Sequence, residues 1–201
     1  MKTVLVIVAS YLIGSIPFSL LASKAKGADP RQAGTKNVGA TNALVVAGPI
    51  AGAVALFGDI GKGIAAIYLA RYFSLTDWGI VFCGLAAVIG HDFSIFLRFK
   101  GGKGIAATGG VLLALDPIFG IITLLLWILT MFLFRYFIPS TILVLCFVPV
   151  MMWMASWRGE YITFGILSAL LAIYAHRQDL KRYFAGDELT IQESLAKYRK
   201  K

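Results

Sequence analysis

Charge is what this chain has least of. Only 14% of its 201 residues are Asp, Glu, Lys or Arg, against about a quarter in an ordinary soluble domain. Acidic groups are scarcest: ten Asp plus Glu stand against nineteen Lys plus Arg, a formal net charge of +9. Long polar connections are few, which leaves no room for a separate water-soluble domain. The two cysteines, Cys83 and Cys146, lie inside apolar runs without paired spacing. They read as small packing residues and report nothing about a redox compartment. The only histidines are His91 and His176, and His91-Asp92 lacks a further ligand at useful spacing, so no metal site is implied. A Walker motif is missing too: Lys103 precedes Gly104 rather than Ser or Thr, and no glycine stands five residues before Gly102. That argues against ATP hydrolysis. No Ser or Cys nucleophile beside a base is apparent, and no repeat or low-complexity segment is evident.

What the chain does have is apolar length. It is 59% hydrophobic with a mean hydropathy of +0.80, and a helical bilayer crossing needs about 20 apolar residues. The expectation is an all-α, polytopic integral membrane protein, a single transmembrane domain over residues 1–201. Seven spans are read: Val4–Leu21, Pro49–Tyr72, Trp78–Leu97, Gly104–Leu115, Ile118–Phe134, Ser140–Trp157 and Tyr161–Ala175. The first is read as retained rather than as a signal peptide, because apolar spans continue to residue 175. Its Gly14, Ser15, Pro17 and Ser19 mark a kink-prone half that faces protein. Pro49 suits a first helical turn. The tail from His176 to Lys201 is polar and reads as a short surface helix.

The cations test this layout. With seven spans, segments 22–48, 98–103, 135–139 and 176–201 share one side and hold fifteen of the nineteen lysines and arginines. The positive-inside rule puts that side, with the C-terminus, in the cytoplasm and the N-terminus outside. Splitting the second span at Gly58 would carry the Gly-Lys stretch outward and spoil the asymmetry. Most cations flank spans, so headgroups and topology account for the positive charge and no nucleic-acid partner is implied.

The unusual polar groups then gather near one face. Phe99-Lys100-Gly101-Gly102-Lys103-Gly104 precedes an apolar helix. Glycines there would let backbone N–H groups approach an anion, and the helix N-terminus would aim its dipole at the same spot. The same residues also serve as an ordinary turn with membrane anchors. Gly34 to Asn42 is a polar loop, either a phosphate ligand through Thr35, Asn37, Thr41 and Asn42 or a plain connector. Asp59 and Lys62, three apart in a span, share a helix face. They form either an internal pair that fixes packing or a lysine that reaches an anion with Asp59 orienting it. His91 lies just before the glycines, and His176-Arg177-Gln178-Asp179 ends the last span.

Taken in order, Gly14-Ser15-Ile16-Pro17-Phe18, Asn37 to Asn42, Asp59-Ile60-Gly61-Lys62-Gly63, Gly90-His91, Phe99 to Gly104 and His176-Arg177 resemble the bacterial acyl-phosphate:glycerol-3-phosphate acyltransferases, the PlsY family. The likeness runs from about residue 11 to 188. It implies a seven-span enzyme of the bacterial cytoplasmic (inner) membrane with its site facing the cytoplasm. It also implies transfer of a fatty acyl group from acyl phosphate to the 1-hydroxyl of glycerol 3-phosphate, giving lysophosphatidic acid and phosphate in phospholipid biosynthesis. No cofactor or metal is implied; membrane lipid and contact with the acyl-phosphate-forming enzyme are. Carried over by position, Lys103 and His176 are catalytic or positioning groups. Thr35, Asn37, Thr41, Asn42, Lys62, His91, Gly101, Gly102, Gly104 and Asp179 belong to the phosphate sites.

Four positions depart from the family pattern. Thr35 replaces Ser but keeps the hydroxyl, Val45 stands where Arg is common, Ile138 where Ser belongs, and Asp179 where Asn is typical. A carboxylate at 179 would repel phosphate unless Arg177 or Lys181 neutralises it. Two other readings stand beside the acyltransferase: a divergent paralogue acting on another phosphorylated acceptor, and a non-catalytic lipid-phosphate binding or transport protein.

Overall fold

The computed structural model describes residues 1–193, and every regular element among them is helical. Five helical stretches are long and apolar enough to cross a membrane: Lys2–Lys24, Pro49–Tyr72, Asp77–Leu97, Pro117–Phe134 and Phe137–Met154. Two shorter apolar helices, Ile105–Leu115 and Gly159–Ala175, complete the apolar set. The chain divides into two compact units, Met1–Pro117 and Ile118–Lys201. The last eight residues of the expected tail, 194–201, lie outside the described region.

In the first unit α1 (Lys2–Ser15) stops where Pro17 removes a backbone donor, and α2 (Phe18–Lys24) resumes the stretch. The interruption exposes carbonyls that other elements use. Ser94 Oγ donates to Ser15 O at 2.6 Å, and Lys62 Nζ donates to Ile16 O at 3.3 Å. A helix not expected from the sequence, α3 (Ala40–Ala47), begins inside what reads as the polar loop. Gly48 ends it with a φ of +87°, and Pro49 opens α4 (Pro49–Tyr72) at its first turn. Next come α5 (Asp77–Asp92), a 3-10 turn at Ile95–Leu97, and α6 (Ile105–Leu115). The third expected span is thus helical only to Asp92 before it tightens.

Glycine sets how closely these helices cross. A Cβ at Gly63 of α4 would run into the Ala107 carbonyl of α6, and one at Gly110 of α6 into the Ile60 carbonyl of α4. Backbone-to-backbone contact of this kind replaces the hydrophobic effect that lipid cannot supply. At the far end of the same pair, Arg71 forks onto the last carbonyls of α6, donating to Ala114 O at 2.8 Å and Leu115 O at 3.1 Å. A cation there also complements the helix dipole. Arg71→Ala is expected to cost about 1 kcal/mol, read as a lower midpoint of thermal unfolding in detergent. Arg71→Lys, a point charge without a fork, should restore less than half of it.

The second unit contains α7 (Pro117–Phe134), α8 (Phe137–Met154), α9 (Gly159–Ala175) and the short amphipathic α10 (Arg177–Phe184). Gly165 of α9 sits against Pro149 of α8. Trp127 Nε1 donates to Thr141 Oγ1 at 2.9 Å, which ties α7 to α8. Ile118, Ile121, Leu125, Phe132 and Leu133 of α7 are exposed, the surface expected of a helix bathed in lipid.

Candidate active site

The glycine-lysine stretch leaves α5 through two left-handed residues, Arg98 (φ 53°) and Phe99 (φ 62°), and enters α6 through Gly104 (φ 71°). Between them the chain folds back onto the end of α5. Gly101 N–H donates to Asp92 O and Gly102 N–H to His91 O, both at 3.0 Å. These amides therefore satisfy the last carbonyls of α5. In this structure the glycine amides 101 and 102, expected to cradle an anion, bond the end of α5 and hold the loop down. Their lack of side chains serves the same end, because a Cβ on Gly102 would collide with His91 Nε2. The candidate anion-facing part is the start of α6, where the cap residue Gly104 has no side chain to bond the first N–H groups, together with half-buried Lys103. First-turn N–H groups beside a cation are the elements an anion site requires.

Beneath the loop lies a buried ionic cluster. Lys62 Nζ is 2.8 Å from Asp59 Oδ1, and His91 Nδ1 is 3.4 Å from the same oxygen. All three residues are buried. Of the two roles open to Lys62, the geometry favours the internal pair, since its ammonium is taken by Asp59 and the Ile16 carbonyl. The adjoining cavity, lined by Ser15, Asp59, Lys62, His91, Ser94 and Gly102 among others, has a volume of about 10 Å³. It has room for roughly one water, and the cluster packs beneath the loop. Asp92, which sequence reasoning did not single out, is buried with neither carboxylate oxygen hydrogen-bonded among the described residues, directly under Gly104. Its adjacency to His91 was the available signal.

The loop before α3 is built around Asn42, which is 1% exposed. Its Oδ1 accepts from Thr35 N–H at 2.9 Å. Its Nδ2 lies within bonding distance of the carbonyls of Pro30 (2.6 Å), Ala33 (3.2 Å) and Asn37 (2.9 Å). Asn42 thus shapes the loop, whereas Thr35 and Thr41 are exposed and Asn37 half-buried. Val45 sits on α3, half-buried.

In the second unit His176 is buried, with Nδ1 2.9 Å from Ala172 O. A carbonyl only accepts, so Nδ1 carries the hydrogen there. Asp179, also buried, pairs with Arg182, which reaches Glu188 at 3.1 Å as well. Burial opposes the Arg182 charge, but bonds to Glu188 and Asp179 hold its guanidinium above the usual range. Arg182 is thus a neutralising partner of Asp179. Arg177 instead lies over the Tyr174 ring, 4.2 Å from its centroid. Ile138 is buried, and Ser140 and Thr141 donate to Tyr136 O and Phe137 O at 2.6 and 2.8 Å.

Apolar helices long enough to cross a bilayer, with a lysine beside the start of one of them, mark the class as integral membrane proteins. Comparison with known proteins narrows that class. The family model for glycerol-3-phosphate acyltransferase matches residues 4–186. The chain is 38% identical to the glycerol-3-phosphate acyltransferase of Burkholderia vietnamiensis over 95% of its length and 92% of that relative. Its fold matches the crystal structure of PlsY (YgiH), an integral membrane glycerol 3-phosphate acyltransferase, in its glycerol 3-phosphate form. The TM-score there is 0.88 at 32% identity, covering 95% of this chain and 96% of the other. The lysophosphatidic acid form gives the same TM-score at 31% identity over 97% and 99%. This chain belongs to the glycerol-3-phosphate acyltransferase family.

Proposed function

We propose that the protein transfers a fatty acyl group from acyl phosphate to the 1-hydroxyl of glycerol 3-phosphate, releasing lysophosphatidic acid and inorganic phosphate. It is a membrane acyltransferase of phospholipid biosynthesis. The observation that carries the reading is the family match, which runs through both units and extends to a relative solved with glycerol 3-phosphate and with lysophosphatidic acid. That continuity also supports treating residues 1–201 as one acyltransferase domain.

The chemistry follows from two anions and one ester. The acceptor hydroxyl attacks the acyl carbonyl, the bond from that carbon to the phosphate oxygen breaks, and phosphate leaves. With no nucleophile beside a base, the proton passes to a phosphate oxygen of the donor. Lys103 and the first N–H groups of α6 stabilise the charge that develops on the departing phosphate. Thr35, Asn37 and Thr41 offer further polar contacts, and His176 is a positioning group carried over from the family likeness. The five long and two short apolar helices support seven crossings. The cation asymmetry supports an external N-terminus and a site facing the cytoplasm of a bacterial inner membrane, within reach of the enzyme that forms acyl phosphate.

A second reading, a paralogue acting on another phosphorylated acceptor, draws on Val45, Ile138 and Asp179. Purified protein given acyl phosphate separates the possibilities. Phosphate release that requires glycerol 3-phosphate supports the first reading, preferential release with another polyol phosphate the second, and no release a binding protein. If the acceptor phosphate lies near α3, Val45→Arg should lower the KM for glycerol 3-phosphate roughly tenfold with kcat little changed, the effect of one charge-assisted bond. An unchanged KM would place the acceptor elsewhere.

A further inference from the structure

Beside the glycine-lysine loop the first unit carries a second, larger concavity of about 540 Å³, lined by Arg31, Lys36, Phe96, Leu97, Arg98 and Lys100 among others. Its size is that of a pocket for a whole small molecule, well beyond a bare phosphate. Four cations converge on it. A carboxylate beside it, Asp29, pairs with Arg31 at 2.6 Å. Its hydrogen bonds to Arg31 pull it down to about 2, so it stays ionised and removes one charge, leaving a clear positive excess. Backbone conformation adds to the picture. Lys36, Arg98 and Phe99 all have positive φ, at 59°, 53° and 62°. Non-glycine residues are rarely held that way, and such strain gathers where ligands are gripped.

The location separates this pocket from a site for a soluble anion. It lies at the end of the apolar stretch Asp77–Leu97, where Ile95, Phe96 and Phe99 are 47%, 61% and 60% exposed. Exposed apolar rings beside a basic cluster at a span end match the junction between acyl chains and headgroups. We propose that this pocket binds the headgroup of an anionic phospholipid of the surrounding bilayer. The phosphate is held by Arg31, Lys36, Arg98 and Lys100, and the first chain carbons lie against Phe96 and Leu97. The site is independent of the acyl-transfer reading. Because Gly101 also borders the pocket, a bound lipid would press on the loop that precedes Lys103.

Native mass spectrometry of the purified full chain, titrated with short-chain phosphatidylglycerol, matched phosphatidylcholine or inorganic phosphate, tests this. Phosphatidylglycerol should bind, phosphatidylcholine should not, and phosphate at equal concentration should not displace the lipid. Arg31→Gln with Lys36→Gln and Arg98→Gln should weaken phosphatidylglycerol about a hundredfold, and Arg98→Gln alone about fivefold, at roughly one headgroup interaction per cation. Removing exposed cations elsewhere (Lys2→Gln, Arg158→Gln, Lys181→Gln) should change it less than twofold. Equal phosphatidylcholine binding, displacement by phosphate alone, or an equal loss in that control would overturn the proposal. So would an Arg98→Gln protein that binds like the wild type.

Discussion

Lys103→Ala should lose about a thousandfold in kcat, the scale of removing one charge-stabilising donor from an acyl-transfer site, while circular dichroism in detergent stays unchanged. The expectation rests on position. Gly101 and Gly102 donate their N–H groups to α5, so the side chain at 103 and the uncapped start of α6 carry the burden of meeting phosphate. A loss in kcat with little change in the KM for glycerol 3-phosphate places Lys103 on the leaving phosphate, where charge appears only as the bond breaks. Lys103→Arg keeps the charge but changes its shape, so partial recovery is expected. Near wild-type turnover in Lys103→Ala would remove it from the mechanism.

Gly102→Ala should be nearly as severe, about a hundredfold in turnover by the scale of misplacing a reacting group by an ångström. Its added methyl would meet His91 Nε2, and His91 is held 3.4 Å from Asp59 in a packed cluster with little slack. The loop would have to lift, breaking its bonds to α5. The pair should couple: Gly102→Ala combined with His91→Ala should be no worse than His91→Ala alone, because the collision is gone. Additive losses in the double variant would show that the methyl acts through something other than the imidazole. Turnover together with the unfolding midpoint distinguishes a displaced loop from an unfolded bundle.

The apolar helices were legible because a bilayer leaves a chain few options: backbone groups must be bonded within helices. Pro49 marks its helix start as the sequence indicates, and Pro17 breaks the first stretch. By contrast α3 hides in the sequence, since eight residues are too few to show a period and polar Thr41 and Asn42 open it. The loop's true hydrogen bonding was out of reach for another reason. Glycines near lysines say that the backbone comes close to something, but whether that is phosphate or the end of α5 depends on how the chain returns after the 3-10 turn. Asp59 and Lys62 could be paired from spacing, whereas the addition of His91 to the same oxygen needs α4 and α5 side by side. The pairing of Asp179 with Arg182 was legible in principle, since Arg182 lies three residues on along a helix.

The central claim is that the protein supplies fixed charges and geometry but no nucleophile, so that one hydroxyl attacks one carbonyl directly. Incubating the purified protein with acyl phosphate and radiolabelled inorganic phosphate, without acceptor, tests it. Direct attack predicts that no label enters acyl phosphate, although the same preparation forms lysophosphatidic acid once glycerol 3-phosphate is added. Label appearing in acyl phosphate before the acceptor is present would reveal an acyl-enzyme and contradict the account.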